Sequence, residues 1–114
     1  VTRPAPPFYA AERAQPDGPG AAVIRCIELG AGGILFDHGA LPAAFFDLST
    51  GVCGDLAQKL SNYGLRMAAV VPDPSVHPAR FQDFAREANR GRQIRFFATR
   101  GEAVVWLEEG ERPS

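Results

Sequence analysis

Apolar positions recur at helical spacing in four stretches of the chain and condense into short unbroken runs between them. From Gly51 onward, Val52, Leu56, Leu60 and Tyr63 form an apolar stripe, with Asp55, Gln58, Lys59 and Asn62 largely off it. The pattern predicts an amphipathic helix that Gly64 ends in the left-handed conformation, with Asp55 and Lys59 forming an acid-first pair one turn apart. Val23, Cys26, Ile27 and Gly30 share a second face, so a short helix is expected over Ala21 to Leu29. Asp17-Gly-Pro-Gly would open it, and Gly30, Gly32 and Gly33 would close it. Phe81, Phe84, Ala85 and Ala88 mark a third helix, which starts at His77-Pro78 and stops at Gly91. Thr99-Arg-Gly-Glu102 reads as a capping box at the start of a fourth. There Ala103, Val104 and Leu107 would face inward, with Trp106 near the edge.

The runs between these helices read as strands. Gly33 to His38 and Leu65 to Val71 are apolar enough to be buried on both faces, and Gln93 to Ala98 is a third run. Pro42 opens a brief helical turn carrying Phe45 and Phe46. Near the start, Pro4, Pro6 and Pro7 impose extended backbone, and Phe8 to Ala11 can form a short edge strand. Strands and helices therefore alternate. The expected fold is one α/β domain with a mostly parallel four-stranded sheet covered by helices and joined by right-handed crossovers. Residues 1–16 read as a proline-rich lead-in with the edge strand, 17–109 as the domain, and 110–114 as a polar tail.

Composition alters this picture little. With 114 residues, 46% hydrophobic content and a formal net charge of −1, the chain suits one soluble domain and has no global field for nucleic acid or an anionic membrane. Eleven of its twelve basic residues are arginine, Lys59 being the exception. Arg86, Arg90, Arg92, Arg95 and Arg100 cluster locally. Asp83 and Glu87 dilute them and no aromatic-interleaved surface accompanies them, so nucleic acid is not the expected partner. No apolar run approaches the ~18–20 residues needed to span a bilayer, and Val-Thr-Arg-Pro-Ala-Pro-Pro has no apolar signal core. A cytoplasmic protein is expected. Cys26 and Cys53 fall inside predicted helices without ligand spacing, so neither a disulfide, a metal site nor a cofactor is expected.

Candidate chemistry gathers at one helix entrance. Ser49, Thr50, Gly51 and Gly54 stand where free N–H groups and the positive end of the helix dipole suit an anion, or where a hydroxyl could be phosphorylated. A capped helix whose glycines allow close packing against a strand accounts for the same residues. Cys53 lies in the first turn, where a dipole lowers a thiol pKa, but it also faces the packing side. His38 follows a buried strand and could meet Asp37 or Asp73 at the carboxyl edge of the sheet, where open α/β sheets bind ligands. Asp47, Asn62 and Asn89 complete the candidate pocket or interaction residues, Asn89 in a helix-end Asn-Arg-Gly. No catalytic constellation is legible.

Phe45-Phe-Asp-Leu-Ser-Thr-Gly51, Gln58-Lys-Leu-Ser-Asn-Tyr63, Phe84-Ala-Arg-Glu-Ala-Asn-Arg-Gly91 and Gln93-Ile-Arg-Phe-Phe97 resemble a bacterial family of domains of unknown function, number 4180, over Ala21 to Leu107. That resemblance implies no activity. The layout also looks like the STAS domain of sulfate transporters and anti-sigma factor antagonists, with Asp47-Leu-Ser-Thr-Gly51 placed like the Asp-Ser-Ser-Gly turn. The resemblance implies a phosphoacceptor serine at Ser49.

The function expected from these residues is a non-catalytic regulatory or protein-interaction module that presents the Asp47–Gly54 turn to a protein partner. The alternative is a small-molecule- or anion-binding protein at the carboxyl edge of the sheet, using His38, Asp47, Thr50 and Asn62. A concave pocket at the Gly51 helix start would favour the alternative, and a flat surface there would favour the module.

Overall fold

The computed structural model describes residues 7–110. Strand β1 (Tyr9–Ala11) leads to helix α1 (Gly20–Leu29) and strand β2 (Gly33–Phe36). A short helix α2 (Ala43–Phe46) and a 3-10 turn (Leu48–Thr50) then precede helix α3 (Val52–Tyr63) and strand β3 (Arg66–Val70). A second 3-10 turn (Pro74–Val76), helix α4 (Ala79–Ala88), strand β4 (Ile94–Phe97) and helix α5 (Arg100–Gly110) complete the order. The four strands form one all-parallel sheet in the order β1-β2-β3-β4. The expected α/β fold is thus present, with a parallel sheet and five helices. The edge strand forms as well. Of the proline-rich lead-in, residues 1–6 lie outside the described residues, as do 111–114 of the expected tail.

Period-two alternation splits the sheet into two faces, and the register aligns them in rows. Ile34, Met67 and Ile94 make one row, and Phe36, Ala69 and Phe96 the next. Together with Val71 they meet Val23 and Cys26 of α1, Phe45 of α2, Leu56 and Leu60 of α3, and Phe81 and Ala85 of α4 in the larger core. Leu35, Ala68 and Val70 point the other way and pack with Ala103 and Leu107 of α5. Right-handed crossovers that always advance in the same direction leave their helices on one face. The last helix follows the final strand and is free to cover the other. Gly33 is required here by proximity, because a Cβ would come within 3.0 Å of the Leu107 side chain and 3.2 Å of the Arg66 carbonyl oxygen.

Several expected contacts differ in detail. Tyr63 is 60% exposed and leaves the stripe, while Cys53 joins Leu56 and Leu60 in it. Positions 53, 56 and 60 are spaced as one helical face, and Tyr63 is the last helical residue before the left-handed Gly64 (φ 64°). Ile27 is likewise exposed, because α1 buries Ala22, Val23 and Cys26 instead. Asp55 and Lys59 form no ion pair among the described residues. The Lys59 amine instead overlies Gly20, where an added Cβ would meet it at 2.8 Å. Val104 is only half-buried; Ala103 and Leu107 are the inward positions of α5. In the capping box the Thr99 hydroxyl takes the Glu102 N–H (3.3 Å) and itself donates to the Glu102 carboxylate (3.0 Å).

Candidate functional site

A parallel sheet in sequential order never reverses direction, so it lacks the crevice that a topological switch point creates. Two long connections at its carboxyl edge make a cavity instead. Residues 37–47 follow β2, residues 71–78 follow β3, and both are stiffened by proline: Pro42, Pro72, Pro74 and Pro78. Between them lies a cavity of about 700 Å³, within the range of small-molecule sites. Leu41, Val70 and Val71 form its buried part. Phe46, Pro72, Val76 and Pro78 supply further apolar wall. The polar lining comes from Asp37, His38, Asp47, Asp73 and His77.

Aromatic packing sets one wall. The His77 ring stacks flat on Phe46, with centroids 3.8 Å apart and planes 7° apart. Phe81 meets both edge-on, at 4.9 Å from Phe46 and 5.4 Å from His77, which ties the wall to the core. The Gln82 amide donates to the His77 carbonyl at 2.9 Å and holds its backbone. A sequence with His77 thirty-one positions from Phe46 gives no local sign of this stack.

Two turns of one design flank the opening. Asp47 Oδ1 accepts from the Ser49 N–H (3.1 Å) and hydroxyl (2.6 Å). Asp73 Oδ1 accepts from the Ser75 N–H (3.1 Å) and hydroxyl (2.5 Å). Each aspartate thereby caps the 3-10 turn that follows it. Hydrogen bonds from the serine favour the carboxylate, so both aspartates are held below the ordinary value of 3.8 and are ionised at neutral pH. The shared Asp-x-Ser spacing is the sequence signal for the second turn. Asp37 is satisfied differently. It accepts from the His38 N–H at 2.8 Å and pairs with Arg100, which also reaches Glu12 at 3.4 Å.

The sequence candidates are only partly brought together. His38 and Asp47 line the cavity; Thr50, Gly51, Gly54, Asn62 and Asn89 do not. The pocket therefore lies beside the Asp47 turn and not at the Gly51 helix start, so the helix start does not itself favour the small-molecule alternative; a cavity elsewhere on the carboxyl edge does. The Thr50 hydroxyl donates toward the carbonyls of Ala44 (2.7 Å) and Asp47 (2.9 Å) and accepts from the Val52 N–H (3.3 Å), so it ties α2 to α3. Gly51 has φ 83°, which explains glycine there. An added Cβ at Gly51 or Gly54 would touch nothing within 4 Å. Close packing against a strand is thus not what these glycines serve. Asn62 accepts from Gln58 at 2.9 Å on the outer face of α3, and Asn89 accepts the Phe96 N–H at 2.8 Å, tying the end of α4 to the edge strand. Burial raises the Cys53 thiol to about 11, so it packs in the core as a protonated thiol at neutral pH.

Four of the five clustered arginines are held by neighbouring groups. Arg86 pairs with Asp83 and Arg90 with Glu87, Arg95 donates to the Gly91 carbonyl, and Arg100 sits at Asp37. Arg66 lies 3.9 Å over the Trp106 ring. Among the described residues no group of three His, Cys, Asp or Glu side chains could hold a metal ion, and no helix is long and apolar enough to cross a membrane.

The family model described as "Domain of unknown function (DUF4180)" matches residues 21–107. The chain belongs to the DUF4180 family. The match opens in α1 and closes in α5, so every residue lining the cavity lies inside it, whereas β1 precedes it. Neither the curated proteins nor the solved structures compared with the chain give a match.

Proposed function

We propose that this DUF4180 chain is a small-molecule-binding domain whose ligand occupies the cavity between the β2 and β3 connections. One observation carries the reading: about 700 Å³ of mainly apolar space is held open by proline-stiffened loops and a core-anchored aromatic stack. A site of this kind releases ordered water from apolar walls on binding, and its walls need little ordering. A binding role without chemistry fits the polar groups present. The Ser49 and Ser75 hydroxyls donate to carboxylates, and Cys53 is a neutral buried thiol.

The test uses a neutral apolar probe, 4-phenylbutanol, observed by saturation-transfer NMR. Ala43 at the start of α2 and Val76 on the second 3-10 turn both line the cavity and are exposed, Val76 by 72%. Tryptophan at both positions should close the opening without disturbing the core. Saturable transfer to the wild type, reduced at least about tenfold in affinity in Ala43→Trp/Val76→Trp, is expected if the cavity is the site. Absence of binding, or equal binding to both proteins, overturns the proposal.

A second reading keeps the domain a regulatory or protein-interaction module of STAS-like layering, with Ser49 as phosphoacceptor. Its support is that Ser49 is exposed on the turn that borders the same cavity. Phosphate there adds about −1.5 to −2 charges against the Asp47 carboxylate and removes the hydroxyl proton that the turn uses. The distinguishing sign is phosphate on Ser49 in protein isolated from its native cell.

A further inference from the structure

We propose that the ligand of this cavity is an amphipathic cation: an apolar body, aliphatic or aromatic, that ends in a protonated amine. The inference rests on the small-molecule reading above and adds the ligand's charge to it. The cavity's inner part takes apolar groups, through Leu41, Val71 and Phe46. Its charged lining is one-sided. No lysine or arginine lines it, whereas three aspartates do.

These aspartates are not equivalent. Asp37 has one oxygen on the His38 N–H and the other on Arg100, so its charge is already answered. Asp47 and Asp73 each spend Oδ1 on a serine, and Oδ2 of each accepts no hydrogen bond from the described residues. The serine bonds keep both carboxylates ionised while leaving one oxygen apiece for a donor from outside. Arg80 acts on Asp47, and His77 of the lining acts on Asp73, only as minor influences behind the serine bonds. The two turns come from different connections and reach the same cavity. An ammonium group carries three N–H donors, which suits a free carboxylate oxygen on either turn. A carboxylate or phosphate would meet three aspartates there, with no lysine or arginine in the lining to answer it.

Isothermal titration with three probes of similar shape decides the matter: 4-phenylbutylamine, 4-phenylbutanol and 4-phenylbutyrate at neutral pH and low salt. The amine is expected to bind roughly fivefold tighter than the alcohol, as contact with exposed carboxylates allows, and the carboxylate more weakly than either. Asp47→Asn/Asp73→Asn keeps each Oδ1 acceptor, and so each turn, while removing the charge. In that variant the advantage of the amine over the alcohol should disappear. Equal or tighter binding of the alcohol or the carboxylate to the wild type overturns the charge assignment and leaves the pocket reading standing. If none of the three binds, both fall together.

Discussion

Replacing Phe81 by alanine should lower the folding free energy by about 3–5 kcal/mol, the range for emptying a buried aromatic position. Phe81 is 0% exposed, and its ring meets Phe45, Phe46, His77, Phe84 and Phe96 at centroid separations of 4.9 to 6.5 Å. It joins α2, α4, β4 and the cavity wall. Its loss forfeits transfer free energy and several edge-to-face contacts at once, and the surrounding rings cannot all move in to fill the space. Single domains are stable by about 5–15 kcal/mol, so the variant should stand near the limit of folding. Urea unfolding followed by far-UV circular dichroism gives the number. Phe81→Leu, which leaves a smaller hole, should remain folded with an intermediate loss. A Phe81→Ala loss below about 1 kcal/mol would show that this cluster is not the centre of the core.

Leu107→Ala should cost about 2–5 kcal/mol and act on a different part of the molecule. Leu107 and Ala103 are the buried contacts of α5 on the second sheet face, against Leu35, Ala68 and Val70. Removing the larger of the two weakens the only helical cover that face has among the described residues. Trp106, the single tryptophan, lies on the same helix under Arg66 and near Phe97, so its fluorescence reports the docking of α5. The expected result is a fluorescence transition at lower urea than the circular dichroism transition, because α5 detaches before the four-helix side unfolds. Coincident transitions at the wild-type midpoint would contradict that division of the core.

Much of this architecture was legible in the sequence because its signals are local. The runs at Gly33 to Phe36 and Arg66 to Val70, the stops at Gly30 and Gly64, and the Thr99–Glu102 cap each depend on neighbours within a turn or a strand. The candidate site was half legible. His38 could be placed at the carboxyl edge because it follows β2 closely, and Asp47 because it stands in the connection that leaves β2 there; that edge is where the cavity lies. The cavity itself lies on the other side of the Asp47 turn from the Gly51 helix start. The helix start at Gly51 has the right residue types for an anion, but its hydroxyls are committed to bonds within the turn and its glycines pack against nothing. The opposite side depends on pairings between segments far apart in sequence, such as Phe46 on His77 and Asp37 with Arg100. Periodicity carries no record of these. The Asp73-Pro-Ser75 turn was within reach, since it repeats the spacing of Asp47-Leu-Ser49. The exposed positions of Ile27 and Tyr63 came from small rotations of α1 and α3, which apolar spacing alone does not fix.

The cavity is the centre of this account, and amide chemical-shift mapping tests it most directly. Isotope-labelled protein is titrated with 4-phenylbutanol, and the shifts are followed residue by residue. The account predicts saturable shifts that are largest in the two connections, at Asp37 to Asp47 and at Val70 to His77, with little change at Gly54, Asn62 or α5. No saturable shift, or a maximum in the shallow groove of Phe97, Gly101, Val105 and Trp106, would contradict it.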